Sequence, residues 1–433
     1  MTRVRRCVFL PAALAGMLMI VAHAPAQQLD WGGTFDSATN LRDDPSREDT
    51  VFQQSFRLGL WAEVFAELRD ERTVRFTAEG SYRLEYDEDD DDHPLHVLNP
   101  DLLRLRASFP LVFGPGSTLD FTAGRFRFGE PTGAIWNHPG DGLSVEARLP
   151  RVWVQVAGAY TGLLLNPVSD IRMTQTDLEE EDDTDELFGP RRAIGRLQLQ
   201  LPELIGRQRL TGFGIVQVDL RDPDDGEETL DTQYVGLRLD GPVEPVRGLY
   251  YEVFGARGFG TFNEEGNGDT SVSSGLYGAR VRYFRERLRY SRLFAEWLHA
   301  SGGDALDPFV AINAPAAGFA FSPDLANLML ATAGYSLRPF SDSASAAAAG
   351  LQAGITARGY FRSTTKDVFF DAPGVDADSD SRYAGAEGEL RLASRPTADL
   401  GFAFTSAVFF PNDDLFADSD PWYRGRFELS IGL

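Results

Sequence analysis

Trp422-Tyr-Arg-Gly-Arg-Phe-Glu-Leu-Ser-Ile-Gly-Leu433 ends the chain, and with a period of two it separates into two faces. Tyr423, Gly425, Phe427, Leu429, Ile431 and Leu433 make one face, apolar except for its glycine; Arg424, Arg426, Glu428, Ser430 and Gly432 make the other, polar or small. Such alternation builds a strand with one oily and one wet side. No turn or partner follows it, so its open edge is expected to close a ring, because closure alone removes edges.

The same pattern recurs along the whole sequence. From Val74 to Tyr86 the residues Val74, Phe76, Ala78, Tyr82 and Leu84 alternate with Arg75, Thr77, Glu79, Arg83 and Glu85. Comparable segments run over Phe56–Val64, Leu103–Phe109, Leu143–Leu149, Val152–Tyr160, Ala193–Leu201, Val235–Leu239, Leu249–Gly255, Tyr277–Tyr283, Leu351–Gly359 and Ala384–Leu392. Weaker ones lie near Trp31, Leu119, Leu210, Leu293, Leu328 and Leu400. The expectation is an all-β chain of about eighteen antiparallel strands, or sixteen if two weak segments merge.

Connections of two lengths alternate between these segments. Short ones (Glu67–Arg72, Pro110–Ser117, Pro150–Arg151, Pro202–Arg207, Gly241–Val246, Arg285–Arg287, Ser394–Thr397) interleave with long ones. The long set is Asn40–Thr50, Asp87–His96, Gly129–Gly142, Leu163–Pro190, Arg221–Leu230, Phe259–Ser271, Gly302–Leu325, Arg362–Ser381 and Pro411–Pro421. Short turns on one side and long loops on the other are how membrane-spanning barrels are built, and a sandwich has no reason for that regularity.

The start of the chain specifies export. Arg3, Arg5 and Arg6 precede an apolar run from Val8 to Val21, and Ala24-Pro-Ala26 offers a small-x-small cleavage site. Residues 1–26 therefore read as a signal peptide, cleaved after Ala24 or Ala26, and residues 27–433 as one barrel domain. The only cysteine, Cys7, lies inside the signal, so no disulfide, thiolate metal site or cysteine nucleophile is expected in the mature chain. A mean hydropathy of −0.24 and the lack of an eighteen-residue apolar run argue against a helical membrane protein.

The chain carries a formal charge of −24. The long connections hold most of the acids, as in Asp87-Glu-Asp-Asp-Asp-Asp92 and Glu179-Glu-Glu-Asp-Asp183. These read as solvated loop tips, or as groups that hold divalent cations. Asp376, Asp378 and Asp380 have the alternate spacing of calcium loops, but no turn glycine or closing bidentate glutamate follows. The acidic exterior disfavours nucleic acid as a partner. HExxH, GxSxG and P-loop patterns are missing, so no enzyme, cofactor or catalytic residue is expected, although His93 and His96 lie beside an acidic run.

A charged side chain on the lipid face near the midplane costs about 2–4 kcal/mol, so the polar stripes are expected to face a wet interior. The stripes collect Arg57, Arg75, Arg83, Arg104, Arg106, Arg148, Arg196, Arg238, Arg280, Arg282, Arg358, Arg391, Arg424 and Arg426 as pore-lining candidates. Facing these are Glu63, Glu79, Glu85, Glu146, Asp219, Asp240, Glu252, Glu387, Glu389 and Glu428. An arginine excess favours anions, as rings of basic side chains do in anion pores. Pairing with acids on neighbouring strands is the alternative for each arginine taken singly. Gly124 to Gly142, with Arg125, Arg127, Trp136 and His138, is apolar where other long connections are acidic, and reads either as a constriction loop folded inward or as a loop packed on its own rim.

The terminal strand, with Phe427, Leu429, Ile431 and Leu433 in register, resembles the closing strand of bacterial outer-membrane β-barrel proteins, where the last residue is usually phenylalanine rather than Leu433. The Gly124–Gly142 region resembles porin-like and alginate-export-like barrels. The resemblance implies location in the cell outer membrane, contact with its lipid, and recognition by the barrel assembly machinery through Phe427, Leu429, Ile431 and Leu433. Tyr86, Tyr160, Phe361, Phe410 and Trp422, near strand ends, suit interfacial girdles or equally serve as packing partners. The function expected is passive diffusion of small hydrophilic, anionic solutes. Export or uptake of an acidic polysaccharide, or a closed structural or surface-binding barrel, are the alternatives.

Overall fold

The computed structural model describes residues 27–44, 49–87, 94–183, 186–222, 227–264, 268–303, 307–313, 315–365, 375–376, 378–417 and 420–433. Residues 1–26, where the sequence reads as a signal peptide, fall outside them, as do the acidic run 88–92, His93 and parts of several other long connections. Eighteen antiparallel strands make one sheet. They are β1 (Gln27–Asp44), β2 (Asp49–Glu67), β3 (Thr73–Asp87), β4 (Leu95–Pro110), β5 (Thr118–Gly129) and β6 (Asn137–Arg148). Then follow β7 (Trp153–Tyr160), β8 (Arg192–Leu201), β9 (Arg209–Asp219), β10 (Thr229–Pro242), β11 (Leu249–Glu264) and β12 (Gly268–Arg285). The last six are β13 (Ser291–Ala300), β14 (Leu328–Leu337), β15 (Gln352–Arg362), β16 (Tyr383–Ser394), β17 (Leu400–Pro411) and β18 (Trp422–Gly432).

Each strand pairs with the next in sequence, and the ring closes where β18 pairs with β1, from Thr34 opposite Gly432 to Arg42 opposite Arg424. Leu433 lies just past β18 and exchanges two backbone hydrogen bonds with Gly33, at 3.3 and 2.9 Å. All eighteen segments seen in the sequence are strands. The regular alternation of connections has three exceptions. On the long side only four residues (45–48) join β1 to β2 and only three (265–267) join β11 to β12, because these strands run on through stretches that read as loop. On the short-turn side the β14–β15 connection is fourteen residues long and contains a short helix, Ala346–Ala349. Its Ser/Ala-rich sequence has no apolar period to betray it.

Alternate side chains define the outside. Leu143 is 65% exposed, Leu197 54% and Val235 62%, while Ser144, Arg196 and Tyr234 beside them are buried. An apolar band of this kind, wrapped around a sheet without edges, is the exterior of a barrel that spans a membrane. Three phenylalanines lie over cross-strand glycines on the interior wall: Phe213 over Gly236, Phe254 over Gly278 and Phe294 over Gly334. A Cβ at any of the three glycines would come within 2.2–2.3 Å of the ring, so the rings hold these sites to glycine.

Candidate functional site: the loop-filled lumen and its arginine-lined vestibule

The interior is not the uniform arginine-lined tube that the strand pattern alone suggests. Four long-side connections fold into it, one of them the 412–421 connection, which contributes the buried Leu415 and Phe416. The 301–327 connection leaves β13, and its Val310 carbonyl accepts from the Tyr234 hydroxyl on β10 (2.7 Å). Further on, its Phe319, Ala320 and Phe321 backbone N–H groups all donate to the Glu387 carboxylate on β16, at 3.1, 2.9 and 2.9 Å. The Phe319 carbonyl accepts from Arg424 on β18 (2.9 Å). A segment that touches β10, β16 and β18 in one pass has to cross the lumen.

The 130–136 connection meets it there: Ile312 donates to the Ile135 carbonyl (2.8 Å), and the Asn137 N–H donates to Asn313 Oδ1 (2.7 Å). Arg238 on β10 reaches across to the Pro131 carbonyl. The Glu130 carboxylate sets the shape of this turn by accepting from Thr132 Oγ1 (2.6 Å) and from the Ala134 and Ile135 N–H groups (2.8 and 3.0 Å). The 161–191 connection is the third, and its Pro167 carbonyl accepts from Arg83 on β3 (3.0 Å).

Where these segments converge, the lumen holds an apolar core. Phe321 stacks on Phe409 with centroids 4.3 Å apart, and Tyr360, Phe416 and Trp422 close around it at 5.0–6.0 Å. On the opposite wall Phe128 stacks on Phe126 (4.1 Å) and on Trp136 (5.4 Å). Trp422 therefore belongs to the interior and not to an interfacial girdle. Tyr86 and Phe410 do sit on the exposed side.

The residues expected in a constriction loop are placed differently. Strand β5 runs to Gly129 and β6 starts at Asn137, so only seven residues connect them and Gly124–Gly142 is mostly strand. Alternation puts Phe126 and Phe128 inward, out of phase with Arg125 and Arg127. Arg125 is held by Asp141 (3.1 and 2.7 Å) and by the Pro100 and Leu163 carbonyls; Arg127 is exposed and caps Asn137. Trp136 is fully buried in the apolar core. His138 is buried too. Its Nε2 accepts from the Asp170 N–H (3.0 Å) and its Nδ1 meets the Pro139 carbonyl (2.7 Å), an arrangement that requires the neutral Nδ1–H ring and ties the 161–191 connection to β6. None of the four lines open space as a constriction loop would, because three are consumed in packing or hydrogen bonds and Arg127 points away.

That connection has a second anchor with no sequence precursor. Its helix, Gln175–Asp182, starts with a capping box formed by Thr174 and Asp177. Asp177 also takes a bidentate contact from Arg192 (2.8 and 2.7 Å) and one from Arg221 (2.9 Å), and both arginines bond Asp219, at 3.0 and 2.8 Å. All four side chains are fully buried. Burial alone would depress the Arg221 pKa, but its hydrogen bond to Asp219 and the charge of Asp177 outweigh this and hold it above the usual arginine value. Nearby Glu180 is pushed up by burial, against the pull of Arg221.

The fourteen wall arginines divide by partner. Ten have a carboxylate within 4 Å: Arg57, Arg75, Arg83, Arg106, Arg148, Arg238, Arg280, Arg282, Arg358 and Arg426. Among the described residues, Arg104, Arg196, Arg391 and Arg424 have none. Arg196 bonds Gln155, and Arg424 lies over the Phe319 ring at 4.9 Å. On the short-turn side of the apolar core the lumen opens into a cavity of about 770 Å³. Arg57, Arg83, Arg391 and Arg426 line it, joined by Arg338 and Arg395, against the two carboxylates of Asp36 and Glu428. Arg338 and Arg395 were not among the sequence candidates. Each sits at the inner end of a strand immediately before a proline (Pro339, Pro396), a shared position that the sequence does display.

No protein-family model matches this sequence, and no curated protein matches it. Solved structures do share the fold. A BenF-like porin from Pseudomonas fluorescens Pf-5 superposes with a TM-score of 0.62 at 10% identity, covering 94% of this chain and 98% of that one. OccK2 (OpdF) of Pseudomonas aeruginosa, solved in complex with glucuronate, gives 0.59 at 12% identity over 94% and 98%. OpdO from the same organism gives 0.57 at 16% identity over 93% and 97%. The chain thus has the fold of eighteen-stranded outer-membrane porins.

Proposed function

We propose that the protein is an outer-membrane channel through which small hydrophilic anions diffuse passively. The arginine-lined vestibule carries this reading, because six guanidinium groups and only two carboxylates, those of Asp36 and Glu428, line its cavity of about 770 Å³. Paired arginines contribute local dipoles, whereas Arg338, Arg391 and Arg395, without a carboxylate partner among the described residues, supply the net field that attracts an anion. The loops that cross the lumen set the size limit and disfavour passage of a polymer. Glucuronate, the molecule bound in the OccK2 complex, is a small organic anion of the size such a vestibule accepts. The acidic outer connections oppose anion entry, but salt screens them beyond about 8 Å at physiological ionic strength.

The test is the reversal potential of the refolded chain in a planar bilayer under a salt gradient. Wild type should prefer chloride, and the double variant Arg391→Gln/Arg395→Gln should lose most of that preference, a several-fold fall in the anion-to-cation permeability ratio. Arg148→Gln, at a position where the charge is already paired with Glu146, should change selectivity little. Cation preference in wild type, or equal effects of the two sets, would refute the reading.

A further inference from the structure

In the outer membrane the short-turn end faces the periplasm. One of its turns differs from the rest. Arg285-Glu-Arg-Leu-Arg-Tyr-Ser-Arg292, which joins β12 to β13, places four arginines and one acid within eight residues. Among the described residues none of the four has a carboxylate within 4 Å, unlike most arginines of the wall. The turn is built at a cost: Arg289 and Tyr290 both adopt left-handed backbone, with φ of 55° and 56°. The β2–β3 turn makes the same bend with Asp70 and Glu71, at φ of 62° and 60°, so what sets the β12–β13 turn apart is that it places an arginine and a tyrosine where the other places two acids.

What the turn displays is a mixed basic and apolar surface. Leu288 is 60% exposed and Tyr290 57%. The Arg285 guanidinium lies over Tyr283 at 5.7 Å. The neighbouring β14–β15 connection extends the patch, with Arg338 over the Tyr290 ring at 5.4 Å, Arg289 bonded to the Pro339 carbonyl (2.6 Å) and Phe340 exposed. Directly above the turn, on the lipid side, are exposed Leu293 and Tyr335, and the Tyr335 hydroxyl meets Ser291 Oγ at 2.8 Å. The patch is therefore continuous with the lipid-facing band and lies at its inner boundary, where aromatic and basic side chains meet headgroups.

We propose that the Arg285–Arg292 turn is a binding site for an anionic phospholipid of the inner leaflet, with Arg285, Arg287 and Arg289 taking the headgroup phosphate and Leu293 and Tyr335 the start of the acyl chains. Guanidinium forks suit phosphate oxygens, and no acid of this run other than Glu286 competes for them. The patch adjoins the vestibule at Arg338, which lines the cavity and stacks on Tyr290, but Arg285, Arg287 and Arg289 lie outside the cavity lining.

The experiment uses the full mature chain, refolded in detergent and doped with phosphatidylglycerol or phosphatidylethanolamine, with retained lipid read by native mass spectrometry. Wild type should retain phosphatidylglycerol about tenfold better. The triple variant Arg285→Gln/Arg287→Gln/Arg289→Gln should lose that preference, and a control triple on other turns, Arg151→Gln/Arg207→Gln/Arg247→Gln, should keep it. Wild type without preference, or equal loss in the control, overturns the proposal. So does displacement of the lipid by excess soluble glycerol phosphate, which would make this a free-phosphate site. If the triple variant fails to refold, salt decides with wild type alone: retention must fall steeply from about 0.05 M to about 0.5 M, and a flat response rejects the site.

Discussion

Replacing Asp177 with alanine should destabilise the protein by about 3–5 kcal/mol, the cost of leaving buried charges without their partner. Asp177 is the only link between the fully buried Arg192 and Arg221 that comes from the 161–191 connection itself; Asp219 belongs to the wall. Without it Arg192 has only Asp219, which it shares with Arg221, and Arg221 has besides that only the more distant Glu180 at 3.6 Å. The same carboxylate accepts from the Met173 and Thr174 N–H groups, at 2.7 and 2.9 Å, so the helix start is lost with it. Urea unfolding of the refolded barrel in lipid measures the loss, and limited proteolysis should cut within 161–191 while the wall stays intact. An unchanged urea midpoint would show that the network is held by Asp219 alone.

Glu387→Ala should raise single-channel conductance several-fold. Its carboxylate gathers three successive backbone N–H groups of the 301–327 connection and takes Arg358 at 2.6 Å. Arg358 keeps Glu389 (2.7 Å) when Glu387 is removed, so the wall survives, but the three N–H groups lose their acceptor inside the barrel. The connection then loses its hold on β16, and Phe321 leaves the ring cluster that blocks this part of the lumen. Glu387→Gln, which keeps one acceptor oxygen, should fall between. Conductance equal to wild type in the alanine variant would mean that the stacked rings, not the carboxylate, hold the segment in place.

The wall was legible in the sequence because lipid on one side and water on the other impose a period of two on every strand, from Gln27 to Leu433. Most connection lengths were legible for the same reason; the exceptions are β1–β2 and β11–β12, whose strands extend through polar stretches that read as loop, and 338–351, whose Ser/Ala run carries no period. The lumen contents were not. An inward strand position shows only as polar, and nothing local distinguishes Glu387, which captures a loop, from Glu428, which borders the vestibule. Phe309, Ile312, Phe321 and Leu325 were visible as apolar residues in a connection, yet a loop has no repeat that says where its apolar residues go. Gly124–Gly142 reads from sequence as a loop, yet it is mostly strand: Arg125, Arg127 and His138 belong to β5 and β6, and of the four residues singled out there only Trp136 lies in the seven-residue connection from Glu130 to Trp136.

The apolar cluster inside the ring also bears on order in time. Its members come from β5, β10, β15, β17 and β18 and from connections that reach between them. The part on β15, β17 and β18 has its wall strands side by side, whereas joining it to the part on β5 and β10 spans the ring. The seam is therefore expected to close before the passage is fully plugged. On refolding into vesicles, resistance to urea extraction should appear before the leak of a trapped small solute falls to its final rate.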